Sequence, residues 1–134
     1  MKAVGTPEYY SGEDIEWDKG RQCWTLGAKS FYKSVCGRIK NLLETSLKYT
    51  DLPLDAGDHP EMDDADLLVP SVIPIYQMMI GCLQWDVTSG RYDIQYATYT
   101  LARFGQKSRD GHMKRALRVL CTWEIVFGPV AYLL

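Results

Sequence analysis

A proline-rich acidic block at residues 50–74 constrains the fold of this chain more than any other feature. The residues in it that interrupt helices are Pro53, Gly57, Pro60, Pro70 and Pro74. Because proline lacks a backbone N–H, prolines at this density exclude a continuous helix. Its acidic residues are Asp51, Asp55, Asp58, Glu61, Asp63, Asp64 and Asp66, and it has no Lys or Arg. We therefore predict a surface linker with solvated charges.

The segment before this block is predicted to be a β-hairpin followed by one helix. Residues 8–15 are compatible with a strand, and residues 21–26 alternate polar and apolar side chains as a half-buried partner strand does. Gly20 lies between them and is able to take the positive φ of a hairpin turn. Apolar residues then recur at helical spacing over 28–44, which predicts an amphipathic helix. Its apolar face comprises Phe31, Tyr32, Val35, Cys36, Ile39, Leu42 and Leu43.

Three further helices are predicted after the block. Residues 75–87 are apolar around most of a helical wheel, which is typical of a helix at the centre of a bundle. A second helix follows Asp93, whose carboxylate would favour the positive end of that helix. The third follows Asp110 as its N-cap and carries Trp123 on its apolar face.

These elements define an α+β fold that is predominantly α. Its parts are a hairpin plus helix at residues 1–49, the acidic linker at 50–74, a helical unit at 75–124 and an apolar tail at 125–134. A chain of 134 residues is within the usual length of one domain, so we predict a single core.

Charge is unevenly distributed in this sequence, although the net charge is only −2. The basic residues between positions 103 and 118 are Arg103, Lys107, Arg109, Lys114, Arg115 and Arg118, against one acid, Asp110. Such a cluster neutralises nucleic-acid phosphates in some proteins, but it is also typical of an ordinary solvated helix face. Charge alone therefore leaves both interpretations open.

The cysteines are predicted to be free thiols in a reducing compartment. They lie at Cys23, Cys36, Cys82 and Cys121, without a CxxC pair and without histidine at ligand spacing. No apolar run approaches the roughly 18 residues of a membrane span, and no signal peptide precedes the first polar residues. We expect no membrane partner and a cytoplasmic or nuclear location.

One sequence triplet invites a catalytic interpretation. Met62-Asp63-Asp64 has paired aspartates of the kind that clamp two Mg²⁺ ions in polymerases. Its flanks are acidic and not the apolar strands of a catalytic hairpin, so we interpret it as part of an acidic surface loop. His59 and His112 lack partners at useful spacing, and His112 is interpreted as a surface or capping residue. We expect no catalytic residue and no metal site in this chain.

The chain contains, in this order, the motifs VGTPEYYSGEDI at 4–15, PLDAGDHPE at 53–61, YQMMIGCLQW at 76–85, TSGRYDI at 88–94 and GHMKRALRVL at 111–120. Together they resemble the part of the copia-type LTR-retrotransposon Pol polyprotein just downstream of the reverse-transcriptase active site. Residues 4–15 are similar to the family's GxPxYYLGxDI strand, with Ser11 in place of the usual Leu. Residues 53–61 resemble a PLxxGDHPE linker. Residues 76–85 (YQMMIGCLQW) and 88–94 (TSGRYDI) are similar to a YxxLIGxLxW helix and a TxGRxDI helix start. Residues 111–120 resemble a GHxKRALRVL helix.

This resemblance implies the end of a polymerase palm followed by a thumb-like unit. Tyr10, Ser11 and Gly12 would belong to the hairpin that steadies the primer terminus. The implied partner is an RNA–DNA or DNA duplex held through its backbone. The expected phosphate contacts are Lys114, Arg115, Arg118, Lys33 and Lys40.

The resemblance also places the family's catalytic aspartates and fingers before residue 1. The chain is then expected to be a truncated, incomplete domain that is inactive alone, with the palm and fingers of the same polyprotein as partners. Mg²⁺ is the cofactor of the intact family enzyme, and this chain is expected to hold none.

The alternative interpretation is a non-catalytic helical interaction module. Tyr9, Trp24 and the apolar tail at 125–134 would then bind another protein or a second copy of the chain.

Overall fold

A computed structural model describes residues 5–6, 8–44 and 50–122. Over these ranges the chain forms a three-stranded antiparallel sheet followed by four helices. The predicted α+β class with mostly helix is confirmed. Trp123 and the tail at 125–134 lie outside the described residues.

The sheet has the order β1 (Tyr9–Tyr10), β2 (Glu13–Asp18), β3 (Cys23–Gly27). The prediction of one strand over residues 8–15 is wrong, because the chain reverses within it. Ser11 and Gly12 both have positive φ, 51° and 94°, and Tyr10 therefore pairs with Glu13. Two consecutive left-handed residues make a tight turn that matches the twist of the strands.

The second reversal, between β2 and β3, uses a different device from the predicted glycine turn. The Asp18 carboxylate accepts hydrogen bonds from the backbone N–H groups of Gly20 and Arg21, at 2.8 and 3.1 Å. The residue with positive φ is Gln22, at 52°, and not Gly20. Hydrogen bonds to the Asp18 side chain thus stabilise this turn, where a positive φ at Gly20 was expected to do so.

The helices are α1 (Lys29–Leu43), α2 (Ile73–Thr88), α3 (Gln95–Ala102) and α4 (Asp110–Cys121). Short 3₁₀ turns cover Pro60–Met62 and Tyr92–Ile94. Helix α2 begins two residues before its predicted start because proline is tolerated in a first turn, where its missing N–H costs nothing. Leu42 was predicted for the apolar face of α1 but is 50% exposed, since it lies at the edge of that face.

One core unites the segments on both sides of the acidic block. Tyr76, Met79 and Leu83 of α2 are fully buried at its centre. Ile39 of α1 and Leu120 of α4 join the same cluster of buried side chains. A helix that is apolar on most sides is therefore surrounded by its neighbours, as its sequence predicts.

Two buried tyrosines tie helix ends together. The Tyr32 hydroxyl of α1 donates to the Leu120 carbonyl in the last turn of α4, at 2.9 Å. The Tyr76 hydroxyl of α2 donates to the Leu101 carbonyl in the last turn of α3, at 2.7 Å. The two carbonyls also accept backbone N–H groups, of Thr122 at Leu120 and of Phe104 at Leu101, so each tyrosine adds a second bond at a helix end. The bonds satisfy tyrosine O–H groups that burial would otherwise penalise. Burial also raises the pKa of Tyr76 and keeps its hydroxyl a donor.

Trp85 of α2 fixes the sheet to the helices. Its ring centroid lies 4.4 Å from that of Phe31 in α1. On its other side the turn at Gly12 approaches so closely that an added Cβ would lie 3.1 Å from a ring carbon. Asp14 adds a polar link by accepting the Ser30 N–H at 2.7 Å, in the first turn of α1. The hairpin tip is therefore held against α1 and α2.

We predict that Gly12→Ala lowers the free energy of unfolding by about 1–3 kcal/mol, because it combines a positive φ with contact at Trp85. Urea denaturation measures the change. The matched control is Gly105→Ala, where the nearest atom to an added Cβ is at 3.5 Å. Equal effects of the two substitutions would contradict the proposed contact.

Candidate nucleic-acid interface

The acidic block is bound to the basic face of α4. The Arg115 guanidinium donates two hydrogen bonds to Asp58, both at 2.8 Å, and also pairs with Asp63. Arg118 binds Asp55 through two bonds of 2.6 and 2.7 Å. Planar guanidinium groups suit this two-point recognition of carboxylates. The prediction of solvated linker charges is thus wrong for Asp58 and Asp63, which are largely buried, whereas the Asp55 side chain is 66% exposed.

Backbone contacts continue the attachment toward α2. The Asp110 N–H donates to the Asp66 carbonyl at 2.9 Å, and the Leu68 N–H donates to the Ser108 carbonyl at 3.0 Å. The Arg109 guanidinium donates a hydrogen bond to the Ala65 carbonyl. Residues 65–68 therefore run against the segment that leads into α4, which a free linker would not do.

Gly111 is the position in α4 that admits the Asp63 carboxylate. A Cβ added at Gly111 would lie 1.7 Å from an oxygen of Asp63. Glycine is needed here for close approach and not for backbone conformation. The carboxylate stands beside the first turn of α4, where the helix dipole favours negative charge. Sequence reasoning missed this residue because its partner is remote in sequence.

The electrostatics of this cluster favour the ionised forms. Hydrogen bonds from Arg115 lower the pKa of Asp58. Burial pushes the pKa of Asp63 upward, but Arg115 and the Ala65 N–H outweigh it, so this pKa is also lowered. Asp58 in turn raises the pKa of Arg115. The three groups therefore remain charged and paired at neutral pH.

His112 is buried inside the same region. Its Nδ1 accepts the Arg109 N–H at 3.1 Å, and its Nε2 lies 2.8 Å from the Pro60 carbonyl. A carbonyl is an acceptor only, so Nε2 is the ring nitrogen that carries the proton in this hydrogen-bond arrangement. Its ring is stacked on Phe104, with centroids 4.1 Å apart. The expected capping role is confirmed, whereas the surface position is wrong.

Asp93 lies in the turn that leads into α3, as predicted, and it also has a side-chain partner. Arg91, whose side chain is 5% exposed, donates to it at 2.9 and 2.8 Å. Arg91 also donates to the Thr122 hydroxyl at 3.3 Å. The pair thereby joins the turn before α3 to the end of α4, which is a structural role.

The predicted phosphate-binding residues fall into two groups. Lys114, Arg115 and Arg118 on α4 are all engaged by aspartates, Lys114 by Asp110 at 2.6 Å. Lys33 and Lys40 on α1 are exposed and form no ion pair with any residue that the structure describes. The two groups lie on different helices, and only the α1 group is free of carboxylate partners among the described residues.

Lys33 and Lys40 belong to a wider basic face on α1. Lys29 precedes Lys33 by one turn, and Arg38 lies farther around the exposed side. Helix α1 contains no acidic residue between its first and last positions. The charged side chains that α1 itself contributes are therefore all positive. We call Lys29, Lys33 and Lys40 the α1 lysine stripe.

The predicted primer-end residues form the turn between β1 and β2. Tyr10 is 70% exposed, Ser11 is exposed, and Gly12 lies against Trp85. The structure thus presents Tyr10 and Ser11 to solvent at a fixed position next to α2.

A row of exposed tyrosines was missed by sequence reasoning. Tyr92, Tyr96 and Tyr99 are 69%, 75% and 48% exposed along α3 and the turn before it. Arg103 continues the row and lies over the Phe104 ring, with its guanidinium carbon 5.7 Å from the centroid. The signal was present as tyrosines at i, i+4 and i+7 opposite the buried Ile94 and Leu101.

In the described parts of the chain, no group of three or more His, Cys, Asp or Glu side chains is arranged to hold a metal ion. Asp63 of the Met-Asp-Asp triplet is committed to Arg115. No helix within the described ranges is long and apolar enough to cross a membrane. Comparison with protein-family models, with curated proteins and with solved structures finds no match for this chain.

We predict that Arg115→Ala lowers the free energy of unfolding by about 1–3 kcal/mol, because it leaves two carboxylates without their cation. The value lies below that of a fully buried pair, since the Arg115 side chain is 22% exposed. Lys114→Ala is the control; its exposed pair with Asp110 should contribute nothing measurable. Indistinguishable denaturation curves for Arg115→Ala and wild type would show that the acidic block is not anchored there.

We also predict that stability falls in acid. The folded pKa values of Asp58 and Asp63 lie below those of the unfolded chain, so their contribution is complete above about pH 4–5. It is lost as pH falls through the folded pKa values. Urea midpoints measured between pH 7 and 2.5 should decrease below about pH 4, and less steeply for Arg115→Ala. Parallel curves for the two proteins would contradict this assignment.

Proposed function

We propose that this chain holds a nucleic-acid duplex as the palm-end hairpin and thumb-like part of a copia-type reverse transcriptase, without synthesising DNA by itself. The family part of the proposal rests on the motifs between residues 4 and 120. The observation that carries the binding part is the exposed α1 lysine stripe, which has no carboxylate partner among the described residues.

Physical reasons favour α1 over α4 as the first contact. A cation already paired with a carboxylate must exchange that partner for a phosphate, so it gains little on binding. Lys33 and Lys40 release only solvent and small ions when they meet a phosphate, which makes binding favourable at low salt. Phosphate contact by Arg115 and Arg118 stays a prediction that requires displacement of the acidic block. Phosphate contact by Lys114 also stays a prediction and requires it to leave Asp110.

The hairpin would supply the second point of support. Tyr10 and Ser11 project from a turn that Gly12 and Trp85 fix to α2. In the proposed enzyme this turn lies beside the primer end, while the palm provides the aspartates that hold Mg²⁺. DNA synthesis would therefore need both pieces.

The cysteines support an intracellular setting for this function. Cys23 and Cys82 are free thiols, and burial raises the pKa of Cys82, which makes this thiol less reactive. Free thiols of this kind suit a reducing compartment, so we propose the cytoplasm or nucleus.

A second candidate function is a protein-interaction module. The exposed tyrosine row Tyr92, Tyr96 and Tyr99 favours it, because tyrosines with an adjacent arginine are enriched at protein interfaces. Further exposed aromatic surface is provided by Tyr10 and Trp17 of the sheet, which are 70% and 46% exposed. In this case the lysine stripe would be an ordinary solvated helix face.

We predict that the chain binds an RNA–DNA duplex with salt-sensitive affinity and that the Lys33→Ala/Lys40→Ala double variant weakens binding about tenfold at low salt. Two lost phosphate contacts should reduce the slope of log affinity against log salt by about 2. Fluorescence anisotropy with a labelled duplex at 50–200 mM salt measures both quantities.

The control for this experiment is Lys107→Ala/Lys114→Ala, which removes the same charge from the α4 side of the molecule. Equal losses for the two double variants would refute α1 as the contact surface. Absence of salt-sensitive binding by wild type, together with salt-independent self-association in sedimentation velocity, would select the interaction module instead.

A further inference from the structure

Gly37 is an exposed glycine in the interior of α1. It lies four residues after Lys33 and three before Lys40, so it is adjacent to both on the helix surface. A Cβ added there would meet no atom within 4 Å, and its φ is not positive. Neither packing nor backbone conformation within the described residues explains the absence of a side chain.

This position is unfavourable for folding, because glycine in a helix interior costs conformational entropy that alanine does not. What glycine provides is a shallow surface, which lets another molecule approach the helix backbone closely. At Gly12 and Gly111 the approaching group belongs to the chain itself, namely Trp85 and Asp63. At Gly37 the space is open to solvent.

The charges around Gly37 indicate what would fill this space. Lys33 and Lys40 are separated by about 10 Å along the helix axis, with the glycine between them. Gly81 of α2 is equally open, but its neighbours Gln77 and Gln84 are neutral, and Gln77 already donates to the Gly105 carbonyl at 2.9 Å. Charge complementarity therefore points to a polyanion at Gly37.

We infer that Gly37 is the point of closest approach between α1 and one sugar–phosphate strand of the duplex, with Lys33 and Lys40 binding phosphates on either side. This inference rests on the proposed function and assigns its contact surface. A methyl group at position 37 would hold the strand away from the helix and lengthen both lysine–phosphate contacts.

The test uses the full chain and a size series at one position. Gly37→Ala should raise the melting temperature by about 2–6 °C, since it removes an exposed helix glycine. It should nevertheless weaken affinity for an RNA–DNA duplex at least about threefold and reduce the salt slope. Gly37→Gln should weaken binding further without changing the charge.

Ser34→Ala is the matched control on the same exposed side of α1. It also favours the helix but adds no volume, so it should raise the melting temperature and leave affinity unchanged. A stabilised Gly37→Ala protein therefore separates the effect of volume from the effect of helix stability. Because both variants are expected to be more stable than wild type, a loss of affinity cannot be attributed to unfolding.

The lysine variant distinguishes failure of this inference from failure of the proposed function. If Gly37→Ala binds the duplex as wild type does while Lys33→Ala/Lys40→Ala binds weakly, close approach at Gly37 is refuted and the lysine stripe remains the contact. If the lysine variant also binds as wild type does, both ideas fail. Weakened binding by Gly37→Ala with normal binding by Ser34→Ala supports the inference.

Discussion

The ion pairs of Arg115 with Asp58 and Asp63 are the interactions on which the arrangement of this chain depends. They turn a proline-rich acidic segment, which has little regular structure of its own, into a layer bound along α4. Gly111 makes room for this layer, and His112 secures it through the Pro60 carbonyl. The linker thus connects α1 to α2 and also covers the face of α4 that the core does not use.

This arrangement changes what the charge distribution means. The acidic middle and the basic end of the sequence nearly cancel in the sum, and in the folded chain they cancel locally, through Asp55, Asp58 and Asp63. Lys29, Lys33 and Lys40 of α1 have no such partners among the described residues. Availability, and not the number of charges, therefore decides which surface suits a polyanion.

Periodicity predicted the helices well, because each helix buries one face and its pattern is local. The bounds of α1 and α2 lie within two residues of the sequence prediction. The turn at Ser11 was missed because serine rarely takes positive φ, and the pairing with Glu13 imposes it here. The candidate site was less predictable, since Arg115 and Asp58 are 57 residues apart and nothing local relates them. His112 is buried beside a partner that is also remote in sequence, the Pro60 carbonyl.

The position of Trp85 has a mechanical consequence. One indole ring touches the hairpin turn at Gly12 and the Phe31 ring of α1, while its own helix passes through the centre of the bundle. The short segment between β3 and α1 therefore cannot serve as a free hinge. Rotation of the sheet about this segment would break the contacts of the Trp85 ring with Gly12 and Phe31. A force applied at the turn between β1 and β2 would therefore be transmitted through this ring to α1 and α2.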